Sequence, residues 1–522
     1  MASSIVDFYN GKSLFITGGT GLMGKVLIEK LLYACPGVDT IYFLVRPKRG
    51  KSIDLRTEEM LKMPMFSRLK KEFPERLTKL VPICGDVCTE GLGLSPEDER
   101  RLVADVDIVV HSAASLRLDA KLKEAIVMNT EGTYNVLEIA KKMKNLKLMV
   151  HMSTAFCHCD LEVMEEKVYP PPHDPMDILH MNRWMESDMM EKIAKDLIKP
   201  HPNVYTYSKR ISEALVASYF PKMPVCIVRP SIVCPAAEEP LPGWVDNLHG
   251  PVGILVGAGK GVIRTMLCHA ECNAEVMPVD MAISGLLAII KSLCVDDKKT
   301  DEVPVYNLTQ GKTRPVTWGT VLEEGRKCFY KNPFEIMLWY PNGDLHRSKF
   351  VHDINVILFH WLPAYFVDFL LLIFGQKTFM LKVQRKVQDG LDVLQYFTTR
   401  RWTFRNDQLL KMRSNMSPED RKIFNIEFED VPLIPYLTNC ILGARHFILK
   451  EDPNSIPRSR ILLNVLWIFH LLGRFVFYSA LLWMFYIWSD SARIVLDTVI
   501  ETLSNFVPFL RHISAPPLEK VQ

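Results

Sequence analysis

SLFITGGTGLMG, residues Ser13–Gly24, is the stretch that decides the fold of this chain. Leu14–Ile16 is a short apolar run suited to a strand buried on both faces. The glycines that follow fit both G-x-G-x-x-G, beginning at Gly19, and G-x-x-G-x-x-G, beginning at Gly18. Glycines let the backbone turn tightly beside a pyrophosphate, whose charge is stabilised by free N–H groups where the next helix begins. The stretch therefore predicts a strand, a nucleotide-binding turn and a helix.

The composition of the whole chain limits its class. Its 522 residues are too many for one ordinary core, so two or three units are expected. The 63 basic and 60 acidic residues give a net charge of +3 without a long basic run, so nucleic acid is not expected as a partner. Twelve cysteines without paired spacing, and no secretory leader in residues 1–12, indicate a compartment facing the cytosol. Cys157-His158-Cys159 lacks a second ligand pair, so no metal site is expected.

Further apolar runs alternate with helical patterns downstream of the first turn. This order predicts an α/β fold with a Rossmann-like, doubly wound parallel sheet, whose site lies at the carboxyl ends of the strands. His111, at the end of the fourth run, is interpreted as a packed histidine rather than a catalytic base. The predicted strands after the first are Thr40–Val45, Leu80–Ile83, Val106–Val110, Leu146–Met152, Val225–Arg229 and Val303–Thr309.

The residue after the second strand predicts the type of nucleotide. Arg46 stands where an NAD-specific fold places a carboxylate for the ribose 2′-hydroxyl. A guanidinium pairs instead with the 2′-phosphate of NADP, helped by Lys48 or Arg49. Asp86, after the third strand, is expected at the adenine edge of the same site. The sequence therefore predicts NADPH as the cofactor.

Two later segments carry residues suited to proton transfer. Tyr205 and Lys209 lie four residues apart in a helical segment that extends to Phe220, so they share one helix face. There an ammonium lowers the pKa of the phenol and binds a nicotinamide ribose, so that the tyrosine transfers a proton. Ser153 and Thr154 follow the fifth strand, and either hydroxyl would polarise a substrate carbonyl.

These motifs together resemble the extended short-chain dehydrogenase/reductases over residues 11 to about 290, and more fully the alcohol-forming fatty acyl-CoA reductases. The matching blocks are, in order, FITGGTGLMGKVLIEKLL, IYFLVR, MSTAF, PPP at 170–172, NVYTYSK, VRPSIV and PGWVDN. The resemblance implies Tyr205 as the proton donor and Lys209 as its partner, with Thr154 preferred over Ser153 as the hydroxyl. Phe156 stands where the family often has tyrosine. The cofactor contacts expected on the glycine turn and beyond are Thr17, Gly18, Thr20, Gly21, Gly24, Arg46, Asp86 and Lys209.

The chain is expected to contain a reductase unit at residues 1–345, with its Rossmann core at about 11–290, and a helical unit at 350–450. The helical unit resembles the C-terminal "sterile" domain of these reductases. Between the fifth strand and the tyrosine, an insertion at Cys159–His201 is helical from Met181 to Lys199 by pattern. Its place at the strand ends makes it a candidate lid, with a surface elaboration as the alternative.

Two apolar segments point to a membrane. Val356–Phe374 contains charged and proline residues, so a buried or interfacial helix is expected as readily as a span. Ile461–Trp488 predicts a transmembrane helix, despite Arg474. One tilted span is preferred over a shorter span from Leu471, a re-entrant hairpin or a core helix.

The charges around the second segment predict its orientation. More basic residues precede the segment than follow it, so the catalytic part is expected to face the cytosol. The membrane is expected to be that of the endoplasmic reticulum or the peroxisome, with 489–522 as a tail. The residues compared are Lys450, Arg458 and Arg460 on one side and Arg493 on the other.

The resemblance implies NADPH-dependent reduction of a long-chain acyl-CoA to a primary alcohol, with release of CoA and two hydride transfers through a bound aldehyde. The expected partners are the acyl-CoA and the lipid bilayer, and a homo-oligomer is left open. One rival is a membrane-bound hydroxysteroid dehydrogenase-like enzyme, which would use the same side chains once per turnover. The other is a non-catalytic NADP- or lipid-binding membrane adaptor, against which the intact set of Thr154, Tyr205 and Lys209 argues.

Overall fold

A seven-stranded parallel sheet forms the centre of the computed structural model. The structure describes residues 4–47, 50–295, 301–310, 313–488, 493–495, 497–499 and 502. Lys48, Arg49 and nearly all of the expected tail at 489–522 lie outside the described residues. The strands are β1 Leu14–Thr17, β2 Ile41–Val45, β3 Leu80–Cys84, β4 Ile108–His111, β5 Leu148–Met152, β6 Val163–Met164, β7 Val225–Pro230, β8 Ile232–Cys234, β9 Thr265–Leu267, β10 Val276–Pro278, β11 Val305–Leu308, β12 Asp344–His346 and β13 Thr403–Phe404.

The strand order confirms the doubly wound prediction. It runs β11-β7-β5-β4-β1-β2-β3, with every neighbouring pair parallel. The direction of winding reverses between β1 and β4, and in such sheets the ligand crevice lies outside the carboxyl ends of the strands at that point. All residues of β1, β2, β4, β5, β7 and β11 are buried, which explains why their sequences are almost continuously apolar.

Helices cover both faces of the sheet and make up most of the chain after β12. Those of the described residues are α1 Ile5–Phe8, α2 Leu22–Ala34, α3 Ile53–Leu61, α4 Ser67–Glu72, α5 Pro96–Asp105, α6 Leu122–Ala125, α7 Gly132–Ala140, α8 Pro175–Trp184, α9 Ser187–Leu197, α10 Val204–Ala217, α11 Pro251–Gly259, α12 Val279–Val295, α13 Trp318–Lys331, α14 Lys349–Val356, α15 Leu362–Ile373, α16 Met380–Thr398, α17 Asp407–Ser414, α18 Pro418–Ile423, α19 Leu433–Gly443 and α20 Ile456–Trp488.

The insertion after β5 forms two helices, not the single one expected from Met181. Helix α8 begins earlier because Asp174 accepts hydrogen bonds from the amides of Met176 and Asp177, and proline occupies its first position. It ends where Met185 becomes extended, and α9 begins two residues later.

Strand pairing and close backbone contact hold the C-terminal helices to the sheet unit. Strand β13 pairs in parallel with β6, and the Asn307 amide donates to the carbonyls of Met164 and Arg405 on either side. A Cβ atom on Gly443 would lie 1.8 Å from the carbonyl oxygen of Gly243, so no larger residue fits that contact. At the other end of the chain, the Ile5 amide donates to Asp420 at 2.9 Å.

The two apolar segments are exposed in the structure. The most apolar 18-residue window of Lys349–Ile373 has a mean hydropathy of 2.0 and is 22% buried, so the buried alternative for this segment is wrong. The corresponding window of Pro453–Trp488 has a mean hydropathy of 1.7 and is 11% buried. Both are long and apolar enough to cross a bilayer, which indicates membrane association.

Candidate active site

The glycine turn between β1 and α2 has the shape of a pyrophosphate cradle. Gly18 has a φ of +74°, and a Cβ atom there would lie 2.7 Å from the amide nitrogen of Ala113. Gly21 caps α2 and donates its amide to the Gly18 carbonyl at 2.9 Å. A Cβ atom on Gly24 would lie 2.3 Å from that carbonyl oxygen. The working register is therefore G-x-x-G-x-x-G from Gly18, and the turn fits a dinucleotide.

Hydrogen bonds of Thr17 and His111 hold the strand ends beside this turn. The Thr17 hydroxyl lies 2.7 Å from His111 Nδ1, and its carbonyl accepts from the amide and the hydroxyl of Ser112. His111 Nε2 lies 3.0 Å from the Thr133 hydroxyl, and burial lowers the pKa of His111 to about 3. His111 is thus a neutral packed side chain, and the polar groups of Thr17 are engaged within the protein. Thr20 lies partly exposed on the turn itself.

Arg46 and Asp86 meet at the edge of the crevice. The Arg46 guanidinium lies 3.5 Å from the Asp86 carboxylate, and half of the Arg46 side chain is exposed. Arg56 of α3 donates to the Arg46 carbonyl. Arg56 was not predicted at this edge from the sequence. Its position one helical turn after the Ser52 cap is the signal that could have placed it near Arg46. The exposed guanidinium suits an anionic group at this edge.

Helix α10 presents Tyr205 and Lys209 on one face. The helix begins here because the Asn203 side chain accepts from the Thr206 amide at 3.0 Å. Lys209 is 2% exposed, and its ammonium donates to the Met152 carbonyl at 2.8 Å. Burial lowers the pKa of Lys209 to about 8, although the Glu213 carboxylate acts to raise it.

Thr154 is the hydroxyl that faces the tyrosine. Burial raises the pKa of Tyr205 above its ordinary value, and a hydrogen bond with Thr154 acts to lower it. The Lys209 ammonium, one helical turn further along α10, is directed to the end of β5. Among the described residues, the Ser153 hydroxyl has no hydrogen-bond partner. The phenol is protonated at neutral pH, as a proton donor must be.

A buried ion pair that sequence reasoning missed lies behind Lys209. Arg229 binds both carboxylate oxygens of Glu213, at 2.8 and 2.7 Å, and both side chains are almost inaccessible. His158 Nε2 and Cys157 Sγ lie 2.9 and 3.1 Å from the same carboxylate. Cys157, His158 and Glu213 have metal-ligand chemistry, but the guanidinium of Arg229 occupies the carboxylate, so the group fits an ion-pair network better than a cation. Cys159, the third residue of the motif, is not part of the group.

The C-terminal helical unit packs directly against the site. Phe156, two residues after Thr154, makes edge-to-face contacts with three aromatic rings of that unit at centroid distances of 5.1 to 5.9 Å. The Phe156 amide donates to the Thr154 hydroxyl at 3.3 Å. The turn that orients Thr154 therefore rests on Phe397, Trp402 and Phe404.

Two parts of the chain match known protein families. Residues 16–286 match a NAD-binding family described as male sterility protein, and residues 359–451 match the Sterile family of the same description. Fatty acyl-CoA reductase 1 of Xenopus laevis is 36% identical over 463 residues, which cover 89% of this chain and 90% of the relative. The chain belongs to the fatty acyl-CoA reductase family. Fatty acyl-CoA reductase wat of Drosophila melanogaster is 34% identical over 479 residues, covering 92% of each chain.

Membership of the fatty acyl-CoA reductase family makes this chain an oxidoreductase with a nicotinamide cofactor site. Its fold is shared with two solved R domains. The terminal R domain of a myxalamid biosynthetic pathway has a TM-score of 0.53 at 18% identity, covering 84% of this chain and 91% of that domain. The reductase domain of a Mycobacterium tuberculosis nonribosomal peptide synthetase has the same score at 15% identity, covering 83% and 91%.

Proposed function

We propose that this chain reduces a long-chain fatty acyl-CoA to a primary alcohol with NADPH, releasing CoA and passing through a bound aldehyde. The observation that carries the proposal is that Thr154 follows the carboxyl end of β5, where Tyr205 and Lys209 of α10 meet it. Relatives named fatty acyl-CoA reductase, at about 35% identity over most of the chain, support this substrate class.

The cofactor would be held by the turn and by the edge of the crevice. Gly18, Gly21 and Gly24 leave room for the pyrophosphate at the beginning of α2, and Arg46 would pair with the 2′-phosphate. Lys209 would bind the nicotinamide ribose. NADPH, when bound there, supplies the hydride for each reduction.

Thr154 and Tyr205 would act on the oxygen of the reacting carbonyl. In the first reduction both hydroxyls donate hydrogen bonds to the thioester oxygen and stabilise the negative charge that develops before the CoA thiolate leaves. In the second reduction Tyr205 gives its proton to the alkoxide oxygen formed from the aldehyde. The ammonium of Lys209, one helical turn away, stabilises the phenolate that remains.

Product analysis with the purified, detergent-solubilised chain tests this reaction. Palmitoyl-CoA and NADPH should give hexadecanol with two NADPH oxidised per alcohol, and Tyr205→Phe should lower the rate by a factor on the order of 10³. One cofactor per product on a steroid alcohol would favour the hydroxysteroid dehydrogenase-like rival. NADPH binding without turnover of any acyl-CoA would favour the adaptor.

Cofactor preference is tested at Arg46. Arg46→Ala should raise the KM for NADPH by about tenfold or more and leave the KM for NADH unchanged, because a charge-assisted contact contributes roughly 1.5–3 kcal/mol. Arg101→Ala, on the exposed surface of α5, is the matched control. Equal changes for both cofactors would contradict 2′-phosphate recognition by Arg46.

We also propose that α20 anchors the reductase in a membrane of the endoplasmic reticulum or the peroxisome, with the catalytic unit in the cytosol. Arg460, near the beginning of α20, donates to the Lys331 carbonyl at 2.8 and 2.6 Å, so the reductase unit holds that end of the helix. Added protease should digest the reductase unit of intact organelles without detergent, and its protection would contradict this orientation.

A further inference from the structure

A helical hairpin at the side of the reductase unit exposes a large apolar surface. Its first arm is the continuous helix Lys349–Ile373, and after Gly375 the second arm, α16, packs against it. We propose that this apolar hairpin, residues 349–398, lies in the headgroup layer of the bilayer that α20 enters, without crossing it. Six side chains near its tip are each more than half exposed: Phe366, Phe369, Leu372, Ile373, Phe374 and Phe379.

Lipid, rather than water, fits this surface. Monomeric soluble proteins rarely expose contiguous apolar patches larger than a few hundred Å². Phe374 is 73% exposed and Leu372 is 66% exposed, while the polar side chain of Asp368 is buried between the arms. The first arm thus has its apolar side outward and its polar group inward, the arrangement of a helix in an apolar medium.

The hairpin does not fit a full span. From His360 to Ile373 the first arm rises about 21 Å, less than the roughly 30 Å of a hydrocarbon core. Asp368 accepts hydrogen bonds from the amides of Phe379, Met380 and Leu381 where the second arm begins, at 2.9 to 3.0 Å, so the two arms are joined at the tip. The second arm carries exposed charges that disfavour crossing: Lys382, Arg385, Lys386 and Asp389.

Both arms are fixed to the same strand of the reductase unit. In the first arm, His352 lies 3.0 Å from the Thr265 hydroxyl, and His360 accepts from the Arg264 amide at 2.8 Å. In the second arm, Leu391 is buried in a cluster with Ile263 and Met266. Because Thr265 and Met266 belong to β9, a bilayer crossing by either arm would require the reductase unit to enter the membrane.

The hairpin is linked to the place where α20 leaves the protein. His470 of α20 lies 3.3 Å from the Trp339 indole nitrogen and 3.1 Å from the Asn342 amide. Asn342 in turn accepts from Arg264 at 3.2 Å, and Arg264 binds the first arm. From Leu471 to Trp488 no side chain is buried. The lipid boundary on α20 therefore lies close to His470, at the level of the hairpin.

Charges beside the tip point to anionic headgroups. Between Phe369 and Gln388 the chain carries four basic residues and no acidic one. All four are exposed: Lys377, Lys382, Arg385 and Lys386. Basic residues beside an apolar surface are typical of interfacial helices, and each contributes about 1 kcal/mol near an anionic membrane.

Photo-crosslinking to lipid tests the proposal in the full-length chain. A photoreactive phenylalanine analogue is placed singly at Phe369, Phe379, Trp483 or Leu55, and the protein is reconstituted in phosphatidylcholine–phosphatidylserine vesicles. Trp483 is the membrane-anchor control on α20. Leu55, 42% exposed on α3 after β2, is the matched apolar control on the surface of the reductase unit. We expect lipid adducts at Phe369 and Phe379 comparable in yield with Trp483, and none at Leu55.

Three outcomes would overturn the proposal. They are no lipid adduct at Phe369 and Phe379 when Trp483 gives one, an adduct to a second protein copy at those positions, or equal lipid adducts at Leu55. A second variant tests the charges, since Lys382→Glu/Lys386→Glu should lower the Phe379 adduct at least threefold in these vesicles but not in phosphatidylcholine alone. The proposal rests on anchoring by α20, which the Trp483 adduct tests separately, and no readout depends on catalytic activity.

Discussion

Helices α10 and α20 distribute their side chains in opposite ways. Helix α10 buries ten of its 14 residues, among them Lys209, Ser212 and Glu213. Helix α20 buries three of its 33 residues, and two of those, Ser459 and His470, are polar. In α10 each buried charge has a partner, whereas in α20 aromatic and aliphatic side chains face outward. The difference teaches that the surroundings, not the residue class, decide burial, and the exposed apolar side chains of α20 indicate membrane association.

The largest expected effect is on the exposed helix. Val476→Arg/Leu482→Arg should raise the free energy of membrane insertion by about 5–7 kcal/mol, since each central arginine costs about 2.5–3.5 kcal/mol. Sodium carbonate should then extract the protein from the membrane pellet of fractionated cells, because the hairpin does not cross the bilayer. Val476→Ile/Leu482→Ile should resist this extraction. A doubly charged variant that also resists extraction would show that α20 is covered by protein and not by lipid.

Among substitutions on α10, loss of the Tyr205 hydroxyl should have the largest effect on kcat. Tyr205→Phe should lower kcat by a factor on the order of 10³, within the 10²–10⁴ range of a lost proton donor. Tyr207→Phe is the control on the same helix, because its hydroxyl lies 3.0 Å from His173 in the insertion and not in the crevice. Similar losses in both variants would show that the helix, not the Tyr205 hydroxyl, was damaged.

The buried ion pair should dominate the stability of α10. Glu213→Gln should lower the free energy of unfolding by about 3 kcal/mol or more, because the guanidinium of Arg229 loses its counter-charge inside the protein. Urea unfolding in detergent measures the change. Asp196→Asn, which breaks an exposed pair with Lys199, should leave the midpoint unchanged. An unchanged midpoint for Glu213→Gln would show that the ion pair with Arg229 does not stabilise the folded protein.

The smallest effect is the pH dependence set by Lys209. Its pKa is lowered from the ordinary 10.5 to about 8 by burial, so the ammonium is present below pH 8 and is lost above it. Turnover should fall about tenfold between pH 8.5 and 9.5. Because the folded pKa lies below the unfolded one, the burial penalty on stability is present below pH 8 and disappears as the pH rises towards 10.5. Lys209→Arg should flatten the pH profile of turnover over this range. An unaltered profile would show that another group causes the pH dependence.

Local patterns in the sequence were enough to predict the parallel sheet. The strands are short apolar runs ended by glycine, proline or small polar residues, and the observed bounds differ by a residue or two from the expected ones. Tyr205 and Lys209 could be paired because helical spacing alone places them on one face. The glycine register was undecided until the contact between Gly18 and Gly24 was seen.

Contacts between distant segments could not be predicted. Glu213 and Arg229 lie on different elements, and neither has a local signal that marks its partner. The sequence also left open which hydroxyl faces Tyr205, because Ser153 and Thr154 differ by one residue at a strand end where the backbone turns. The exposure of Lys349–Ile373 depends on what packs against it, which hydropathy alone does not show.

The hydrogen bond between the Ile5 amide and Asp420 can form only late in biosynthesis. Chains are made at about 5–20 residues per second, so the acceptor for the Ile5 amide leaves the ribosome about 20–80 s after the donor. The Tyr9 hydroxyl likewise donates a hydrogen bond to the Leu287 carbonyl, which is synthesised much later than Tyr9. The hydrogen bond that ties the first helix to α18 can therefore form only when most of the polypeptide exists, shortly before the apolar segment Pro453–Trp488 emerges.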